Sequence, residues 1–295
     1  MKKPLISIVI ANYNYGHYLE EAILSVLSQC ISVADTVKLS LSTGETIELI
    51  IVDGGSSDNS IQVIQKYADK LAWWCSEPDR GQSDAFNKGF AHARGRFFTW
   101  LNADDIFFPG SLERARQQIY RYPLCEWFVA GCMWLDQEMR VIKCSNARTF
   151  SRLRAERGEI SVWAPSSFFS RELFKRAGGV DVDFHYSMDT ELWFRFYRWA
   201  SVMYRPIKGY CWGLRLHPAA KMSGHNFENS ELSQEMHPRW AQLKKEGKLF
   251  HSRYGYPKSN KFVKWITTSP LIFMKNKLDT WRFRNKFVSE CFNLF

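Results

Sequence analysis

The chain has 295 residues, enough for one large or two small domains with a sizeable buried core. Its 45% hydrophobic and 24% charged residues exclude a disordered tail, a collagen-like repeat and a small disulfide-stapled protein. A formal net charge of +10 indicates an anionic partner, which could be nucleic acid, a phosphorylated ligand or a lipid surface.

The first part of the chain alternates predicted strands with predicted helices. Runs of β-branched and aromatic residues predict strands at 5–10, 47–52, 72–75 and 97–101. Apolar residues at helical spacing predict helices at 18–29, 59–67, 83–93 and 109–120. A small hairpin insertion is expected between 33 and 45. This order predicts βαβ units, and therefore an α/β fold with a Rossmann-like, mainly parallel sheet flanked by helices.

The second part is predicted to be more mixed. An antiparallel pair is expected at 127–134 and 141–144, followed by helices at 172–177 and 189–199 and a strand at 202–207. Beyond residue 226 the pattern is helical and basic, without further strands. The sheet is therefore expected to be complete before the C-terminal segment begins.

Seven scattered cysteines, odd in number and without a Cys-x-x-Cys pair, indicate a reduced, intracellular protein. The apolar run after Met1 is short and continues into a polar loop, which favours a strand over a signal peptide. No run reaches the roughly eighteen apolar residues that a membrane-spanning helix needs.

Polar side chains follow each predicted parallel strand. They are Asn12 and Asn14 after the first strand, Asp53 after the second, residues 77–82 after the next and residues 102–105 after 97–101. Ligands of open parallel sheets bind at the carboxyl ends of strands. These four loops therefore predict one binding site at that edge.

Adjacent carboxylates at Asp104 and Asp105 repel each other unless a cation neutralises them. Mg²⁺ or Mn²⁺ would suit, because both prefer oxygen ligands and complete their shells with water and substrate phosphate. The alternative is that the pair caps the helix after Pro109. Asp53 could likewise belong to a simple turn.

Several common enzyme motifs do not occur. The sequence has no Gly-x-Gly-x-x-Gly, no P-loop, no His-Glu-x-x-His and no Gly-x-Ser-x-Gly. The sequence therefore does not favour a dinucleotide oxidoreductase, a P-loop NTPase, a zinc protease or a serine hydrolase.

Four ordered segments closely resemble the inverting family 2 glycosyltransferases of the GT-A fold, of the bacterial surface-polysaccharide type. They are SIVIANYN (7–14), IIVDGGSSD (50–58), EPDRGQSDAFNKG (77–89) and WLNADD (100–105). The resemblance covers roughly residues 4 to 225. It implies a GT-A domain at 1–225, with a nucleotide-binding half (1–100) and a metal and acceptor half (101–225). A helical, basic, aromatic extension follows at 226–295.

The resemblance implies that Asp53 holds the base or ribose and that Asp79 and Arg80 complete the nucleoside pocket. The chain departs from the family at Asn102, where the metal motif usually has an acid, and at Ala11, where the first loop usually has proline. The implied nucleotide-sugar contacts are Ala11, Asn12, Asn14, Asp53, Asp79, Arg80, Asp84, Lys88, Asn102, Ala103, Asp105 and Lys221.

The resemblance further implies that Asp104 is the main metal ligand, with His217 as a second, and that Mn²⁺ or Mg²⁺ is the cofactor. Asp189 would be the general base that takes the acceptor proton. Glu191 and Trp163 would lie on the acceptor side. The alternatives are that Asp189 caps its helix, His217 is structural, and the segment 163–168 packs in the core.

These residues favour an inverting, metal-dependent hexosyl- or N-acetylhexosaminyltransferase. It would move a sugar from a nucleoside-diphosphate sugar, with UDP favoured, to a hydroxyl of a glycan or polyprenyl-diphosphate-linked acceptor in surface polysaccharide synthesis, such as lipopolysaccharide or capsule. A nucleotidyltransferase and a non-catalytic sugar-nucleotide or nucleic-acid binding module are the alternatives. The first of these would need a Gly-rich basic loop after the first strand, and residues 12–16 carry no basic side chain.

The excess positive charge lies mostly in the last 45 residues, which carry nine Lys or Arg against two acids and include ten aromatic residues. Such a segment suits an interfacial helix on an anionic membrane, and also a stacking groove for single-stranded nucleic acid. A packed subdomain with a solvated basic face is the third interpretation. The membrane interpretation is preferred and no nucleic acid is expected, which predicts a cytoplasmic protein peripheral to the inner face of the cytoplasmic membrane.

Overall fold

The computed structural model describes residues 3–32, 39–148, 150, 162, 164–198, 203–221, 238–254 and 270–291. The strands are β1 (Ile6–Asn12), β2 (Ile31–Ser32), β3 (Leu39–Ser40), β4 (Thr46–Asp53), β5 (Trp73–Ser76), β6 (Phe97–Asn102), β7 (Ile106–Phe107), β8 (Trp127–Leu135), β9 (Val141–Ser145), β10 (Ser167–Ser170) and β11 (Arg205–Arg215). The helices are α1 (Gly16–Leu27), α2 (Ser60–Lys66), α3 (Gln82–His92), α4 (Ser111–Arg121), α5 (Arg171–Ala177), α6 (Met188–Arg198), α7 (Pro238–Tyr254), α8 (Pro270–Phe283) and α9 (Val288–Cys291).

The described strands form one mixed sheet in the order β2-β3-β4-β1-β6-β10-β8-β11-β7, with β5 on the edge of β4 and β9 paired to β8. The predicted parallel unit is confirmed, because β1 lies between β4 and β6 and is parallel to both. Its register pairs Asn12 with Asp53 and Ala11 with Asn102. The last residues of three strands therefore meet at one edge of the sheet.

The sheet is buried on both faces, which is why its strands are continuous apolar runs. Ile8 and Ile10 of β1 pack with the apolar faces of α1 and α4, whereas Val9 points to the opposite face with α3 and α6. Helix α3 lies directly on β1, since a Cβ at Gly89 would come within 2.3 Å of Val9 Cγ1.

Aromatic residues make up 16% of the chain, and many of them pack in the core. Trp100 and Trp193 stack with ring centroids 5.3 Å apart, and Trp127, Phe169 and Phe196 surround them, all fully or almost fully buried. Stacked and edge-to-face rings of this kind stabilise a core beyond their area burial.

The fold differs from the sequence prediction mainly in its second part. The strand expected at 202–207 is β11 and continues to Arg215, because it follows β8 in parallel for most of its length. Strands β7 and β10 were not predicted, since segments of two to four residues carry too little periodicity. Phe168 is completely buried, which fits the alternative that the segment 163–168 packs in the core.

The C-terminal helices pack on this sheet. Phe283 of α8 and Val288 and Cys291 of α9 bury their side chains against Phe108 and Met133. Asp279 of α8 accepts hydrogen bonds from Tyr210 and Asn146. None of the helices in the described residues is both long enough and apolar enough to cross a bilayer.

Candidate active site at the carboxyl ends of the strands

A cavity of about 950 Å³ opens at the edge where β1, β4 and β6 end. This volume is at the upper end of the range for small-molecule and cofactor sites. Its apolar wall contains Trp100, Pro165, Met188 and Trp212. The predicted site residues that line it are Ala11, Asn12, Asn14, Asp79, Asn102, Ala103, Asp104, Asp189 and Lys221. Four separate loops and strand ends thus meet in one cavity, as the sequence predicted.

Asp53 lies behind the cavity wall and supports it. Its carboxylate is fully buried and accepts hydrogen bonds from the Ser56 and Gly55 backbone, the Ser56 and Ser76 hydroxyls and the Asn12 amide. Burial alone would raise the pKa of Asp53, but the bonds from Ser56, Ser76 and Asn12 lower it below its ordinary value. Asp53 is therefore an ionised group that shapes the loop and orients Asn12.

Asn12 presents an unsatisfied acceptor at the cavity. Because its Nδ2 donates to Asp53 at 2.6 Å, its Oδ1 faces the other way, and that buried atom has no hydrogen-bond partner among the described residues. A buried acceptor without a partner is costly in the free protein. An N–H or O–H group of a ligand would satisfy it.

Asp79 also lines the cavity. Its Oδ1 accepts the Gly81 N–H at 2.7 Å. A Cβ at Gly54 would come within 2.9 Å of the other carboxylate oxygen, so glycine at 54 lets the two loops approach.

Asp104 and His217 form the polar pair best suited to a metal. Oδ2 of Asp104 and Nε2 of His217 are 3.1 Å apart, and His217 is only 5% exposed. The rings of Tyr15 and Tyr18 contact His217 with centroids at 5.6 and 4.6 Å and fix its orientation. Two neighbouring ligands of an octahedral ion with bonds of about 2.1 Å are separated by about 3 Å, which this pair matches.

The described residues provide no larger protein ligand set. No group of three His, Cys, Asp or Glu side chains that could hold a metal ion occurs within the described ranges. A cation at Asp104 and His217 would thus take its remaining ligands from substrate and water, as Mg²⁺ and Mn²⁺ sites with phosphates often do.

Asp105 is a buried neighbour of Asp104 and does not itself line the cavity. It is 1% exposed and accepts hydrogen bonds from Asn102 Nδ2 at 2.7 Å and from the Arg215 N–H at 3.0 Å. Burial, followed by the nearby charge of Asp104, raises its pKa well above the ordinary value. The alternative that Asp104 and Asp105 cap the helix after Pro109 is wrong, because Gly110 is the N-cap residue of α4.

A chain of hydrogen bonds crosses the cavity from the 215–221 loop to Asp105. Lys221 Nζ donates to Gln82 Oε1 at 2.8 Å, and Gln82 Nε2 donates to Asn102 Oδ1 at 2.8 Å. Asn102 then donates to Asp105. The sequence prediction did not select Gln82, although it lies within the motif at 77–89. Its amide directly follows Gly81, a glycine with positive φ, and that position was the available signal.

Asp189 is the second residue of α6 and lines the cavity wall. Its Oδ1 accepts hydrogen bonds from the Thr190 N–H at 2.7 Å and from the Thr190 hydroxyl at 3.3 Å. Desolvation by the surrounding protein raises the pKa of Asp189 above its ordinary value. A carboxylate that lines a cavity and has a raised pKa is suited to accept a proton.

Besides Asp53, Asp105 and His217, four predicted site residues do not line the cavity. Asp84 pairs with Arg80 at 3.3 Å and lies 3.8 Å from Lys88, in an ion-pair cluster on the outer side of α3. Glu191 is fully buried in a bidentate pair with Arg195. Residues two apart on a helix point in nearly opposite directions, so Glu191 faces away when Asp189 faces the cavity. The structure corrects the expected contacts of these four residues, and Trp163 lies outside the described residues.

Comparison with known proteins identifies the family. The sequence profile of glycosyl transferase family 2 matches residues 7–177, more than half of the chain. The chain is 28% identical over 210 residues to an uncharacterized glycosyltransferase of Rickettsia prowazekii and covers 61% of that relative's length. It is also 28% identical over 210 residues to an uncharacterized glycosyltransferase of Mycobacterium tuberculosis, with 70% of this chain and 73% of the relative covered. The chain belongs to glycosyl transferase family 2.

Solved structures show the same fold. Staphylococcus aureus TarS 1-349 superposes with a TM-score of 0.54 at 16% identity, over 72% of this chain and 60% of TarS. The mannosyltransferase PcManGT of Pyrobaculum calidifontis, solved with GDP-Man and Mn²⁺, gives 0.51 at 18% identity over 76% and 59% of the two chains. The fold is therefore the GT-A fold, as the sequence motifs implied.

Proposed function

We propose that this protein is a metal-dependent, inverting glycosyltransferase that uses a nucleoside-diphosphate sugar. The observation that carries the proposal is that one cavity is lined by Asp104, whose carboxylate contacts the buried His217, and by the carboxylate-bearing Asp189. UDP is the favoured nucleotide, because TarS was solved with UDP and with UDP-GlcNAc. The acceptor would be a hydroxyl of a glycan or lipid-linked glycan in surface polysaccharide synthesis.

The proposed reaction is a single displacement. The Asp189 carboxylate takes the proton of the acceptor hydroxyl while the hydroxyl oxygen forms a bond to the anomeric carbon. The bond from that carbon to the diphosphate oxygen breaks on the opposite side, its electron pair leaves with the diphosphate, and the anomeric configuration inverts. Asp104 and His217 would hold the divalent cation, which supplies positive charge to the leaving diphosphate.

The ligand atoms that Asp104 and His217 would offer bear on which metal ion the site would bind. A carboxylate oxygen suits both Mg²⁺ and Mn²⁺, whereas the imidazole nitrogen of His217 favours Mn²⁺. Lys221 at the cavity rim would add a second positive charge for the phosphates. Asn12, through its open Oδ1, would accept a hydrogen bond from the nucleoside.

Two variants test the assignment, after a thermal-shift screen of nucleotide sugars with Mn²⁺ has identified the donor. Asp104→Ala is expected to abolish Mn²⁺-dependent stabilisation by the donor. Asp189→Asn is expected to keep that stabilisation and lose transfer to a lipid-linked glycan extract. Asp69→Asn, in an exposed ion pair, is the matched control. Full transfer in both site variants would overturn the proposal, and donor binding with no turnover under any condition would favour a binding module.

We also propose that the extension 226–295 contacts an anionic membrane through the outer face of α8. On that face Trp281 is 80% and Leu278 is 60% exposed, and Lys277, Arg282 and Arg284 are exposed beside them. The inner face, with Phe283 and Asp279, packs on the sheet. An exposed indole flanked by cations suits the interface of an anionic bilayer.

The inner face of the cytoplasmic membrane is the proposed location. All seven cysteines are free thiols. Free thiols persist in a reducing compartment, which is consistent with a protein that works on the cytoplasmic side.

A further inference from the structure

The loop that leads into α6 is held by a carboxylate from a distant helix. The backbone N–H groups of His185, Tyr186 and Ser187 all donate to the two oxygens of Glu246 in α7, at 2.8 to 3.2 Å. The Ser187 hydroxyl donates to the same carboxylate at 2.6 Å. Glu246 is 1% exposed.

These donors lie in the turn just before α6, and the Ser187 N–H is at the N-cap position of that helix. The first N–H groups of a helix have no partner within it and are usually satisfied by a nearby cap residue. Here the acceptor comes from about sixty residues further along the chain. Its negative charge also complements the positive end of the α6 dipole. Burial would raise the pKa of Glu246, yet the bonds from Ser187, Gln242 and the loop lower it, so the group is an anion in the folded protein.

The same helix makes further contacts on either side of this loop. Phe250 packs edge-to-face on Phe184 and Phe194, with centroids 6.2 and 5.2 Å away. The Tyr254 hydroxyl donates to Glu191 at 2.5 Å. Helix α7 therefore fixes both the loop and the first turns of α6, which include Asp189.

We propose that Glu246 is a positioning residue for transfer and sets the orientation of Asp189 through the first turn of α6. The inference rests on the proposed function of Asp189 as the base. Asp189 follows Ser187 by two residues, so a tilt of this turn moves its carboxylate directly. A misplacement of about 1 Å in a reacting group can cost about a hundredfold in rate.

Glu246→Gln and Ser187→Ala test the proposal in the full chain. Glutamine keeps the shape of the side chain but replaces one acceptor oxygen with an NH₂ group that faces N–H donors. We expect kcat for transfer to fall by about tenfold or more, while affinity for UDP with Mn²⁺ changes by less than about twofold. Ser187→Ala removes one hydrogen bond and leaves the carboxylate in place, so a smaller fall in the same direction is expected. Glu138→Gln, an exposed glutamate in the turn after β8, is the matched control.

A double-mutant cycle separates positioning from general damage to the fold. If Glu246 acts through Asp189, Glu246→Gln has no further effect on residual transfer in the Asp189→Asn background. An equal fall in both backgrounds, or normal kcat in both Glu246→Gln and Ser187→Ala, overturns the proposal. If Glu246→Gln does not fold, Ser187→Ala carries the same cycle. Normal transfer by Asp189→Asn would instead refute the base role itself.

Discussion

The side-chain amide of Asn102 donates a hydrogen bond of 2.7 Å to Oδ2 of the buried Asp105. The first acidic position of the family's metal motif is thus a neutral donor here. An aspartate could not donate to Asp105 when ionised, and it would place a second negative charge beside it. The departure from the family pattern therefore has a physical reason in this structure, because Asn102 stabilises a carboxylate that burial disfavours.

Asn102→Asp is expected to destabilise the fold at neutral pH by about 1–3 kcal/mol, the cost of leaving a buried polar group unsatisfied. Urea denaturation at pH 7 measures the loss. The matched control is Asn285→Asp, at an exposed position after α8 whose left-handed backbone aspartate tolerates. Equal stability of Asn102→Asp and the wild type would contradict this account.

His217→Ala is expected to weaken Mn²⁺ binding in the presence of UDP by about tenfold or more, because it removes one of the two proposed protein ligands. Calorimetric titration with Mn²⁺ at constant UDP gives the affinity. His92→Ala serves as the control, since His92 stacks on Trp73 at the surface with centroids 3.7 Å apart. Unchanged Mn²⁺ affinity in His217→Ala would show that the histidine has only a structural role.

The pH dependence of kcat should report the raised pKa of Asp189. A base must be ionised, so kcat falls as pH drops through its pKa, and that limb lies above the ordinary aspartate value of 3.8. Initial rates between pH 4 and 8 at saturating donor measure it. Proton competition for metal ligands gives an acid limb that moves with Mn²⁺ concentration. If Asp189 is the group that titrates, the pH at which kcat falls should not depend on Mn²⁺ concentration. A fall in acid that disappears at high Mn²⁺ would refute the assignment to Asp189.

Glu246 should contribute stability that depends on pH. Its folded pKa is lowered, so its contribution is present above the ordinary value of 4.5 and is lost as pH falls through the folded pKa. The difference in unfolding free energy between wild type and Glu246→Gln is therefore expected to be constant near pH 7 and to shrink in acid. Urea denaturation at several pH values measures it. A difference that grows in acid would have the wrong sign.

The two faces of α8 should respond differently to alanine. Trp281→Ala combined with Leu278→Ala is expected to weaken binding to anionic phosphatidylglycerol vesicles without lowering Tm, because both side chains are exposed. Phe283→Ala, 3% exposed in the wild type, should cost about 3 kcal/mol of stability. Vesicle sedimentation and thermal unfolding give the two readouts. Unchanged vesicle binding by the double variant would refute the membrane contact.

The sequence by itself determined the parallel core and the edge of the sheet that carries the cavity. A mainly apolar run such as 47–52 predicts a buried strand in a chain long enough to form a large core. The polar residue that follows each strand necessarily lies at its carboxyl end. Asn12, Asp79, Asn102 and Asp104 could therefore be placed in one cavity without coordinates. Both the spacing of apolar residues and the position of a strand end depend only on residues that are close together in the sequence.

Only the tertiary structure decided which of these side chains face the cavity and what supports them. Behind the wall, Asp53 accepts a hydrogen bond from Ser76, twenty-three residues away, and Glu246 accepts one from Ser187 across fifty-nine residues. Glu191 turns inward because Arg195 and Tyr254 hold its carboxylate. Such hydrogen bonds depend on how helices and loops pack against each other, and the spacing of residues along the chain does not determine that packing.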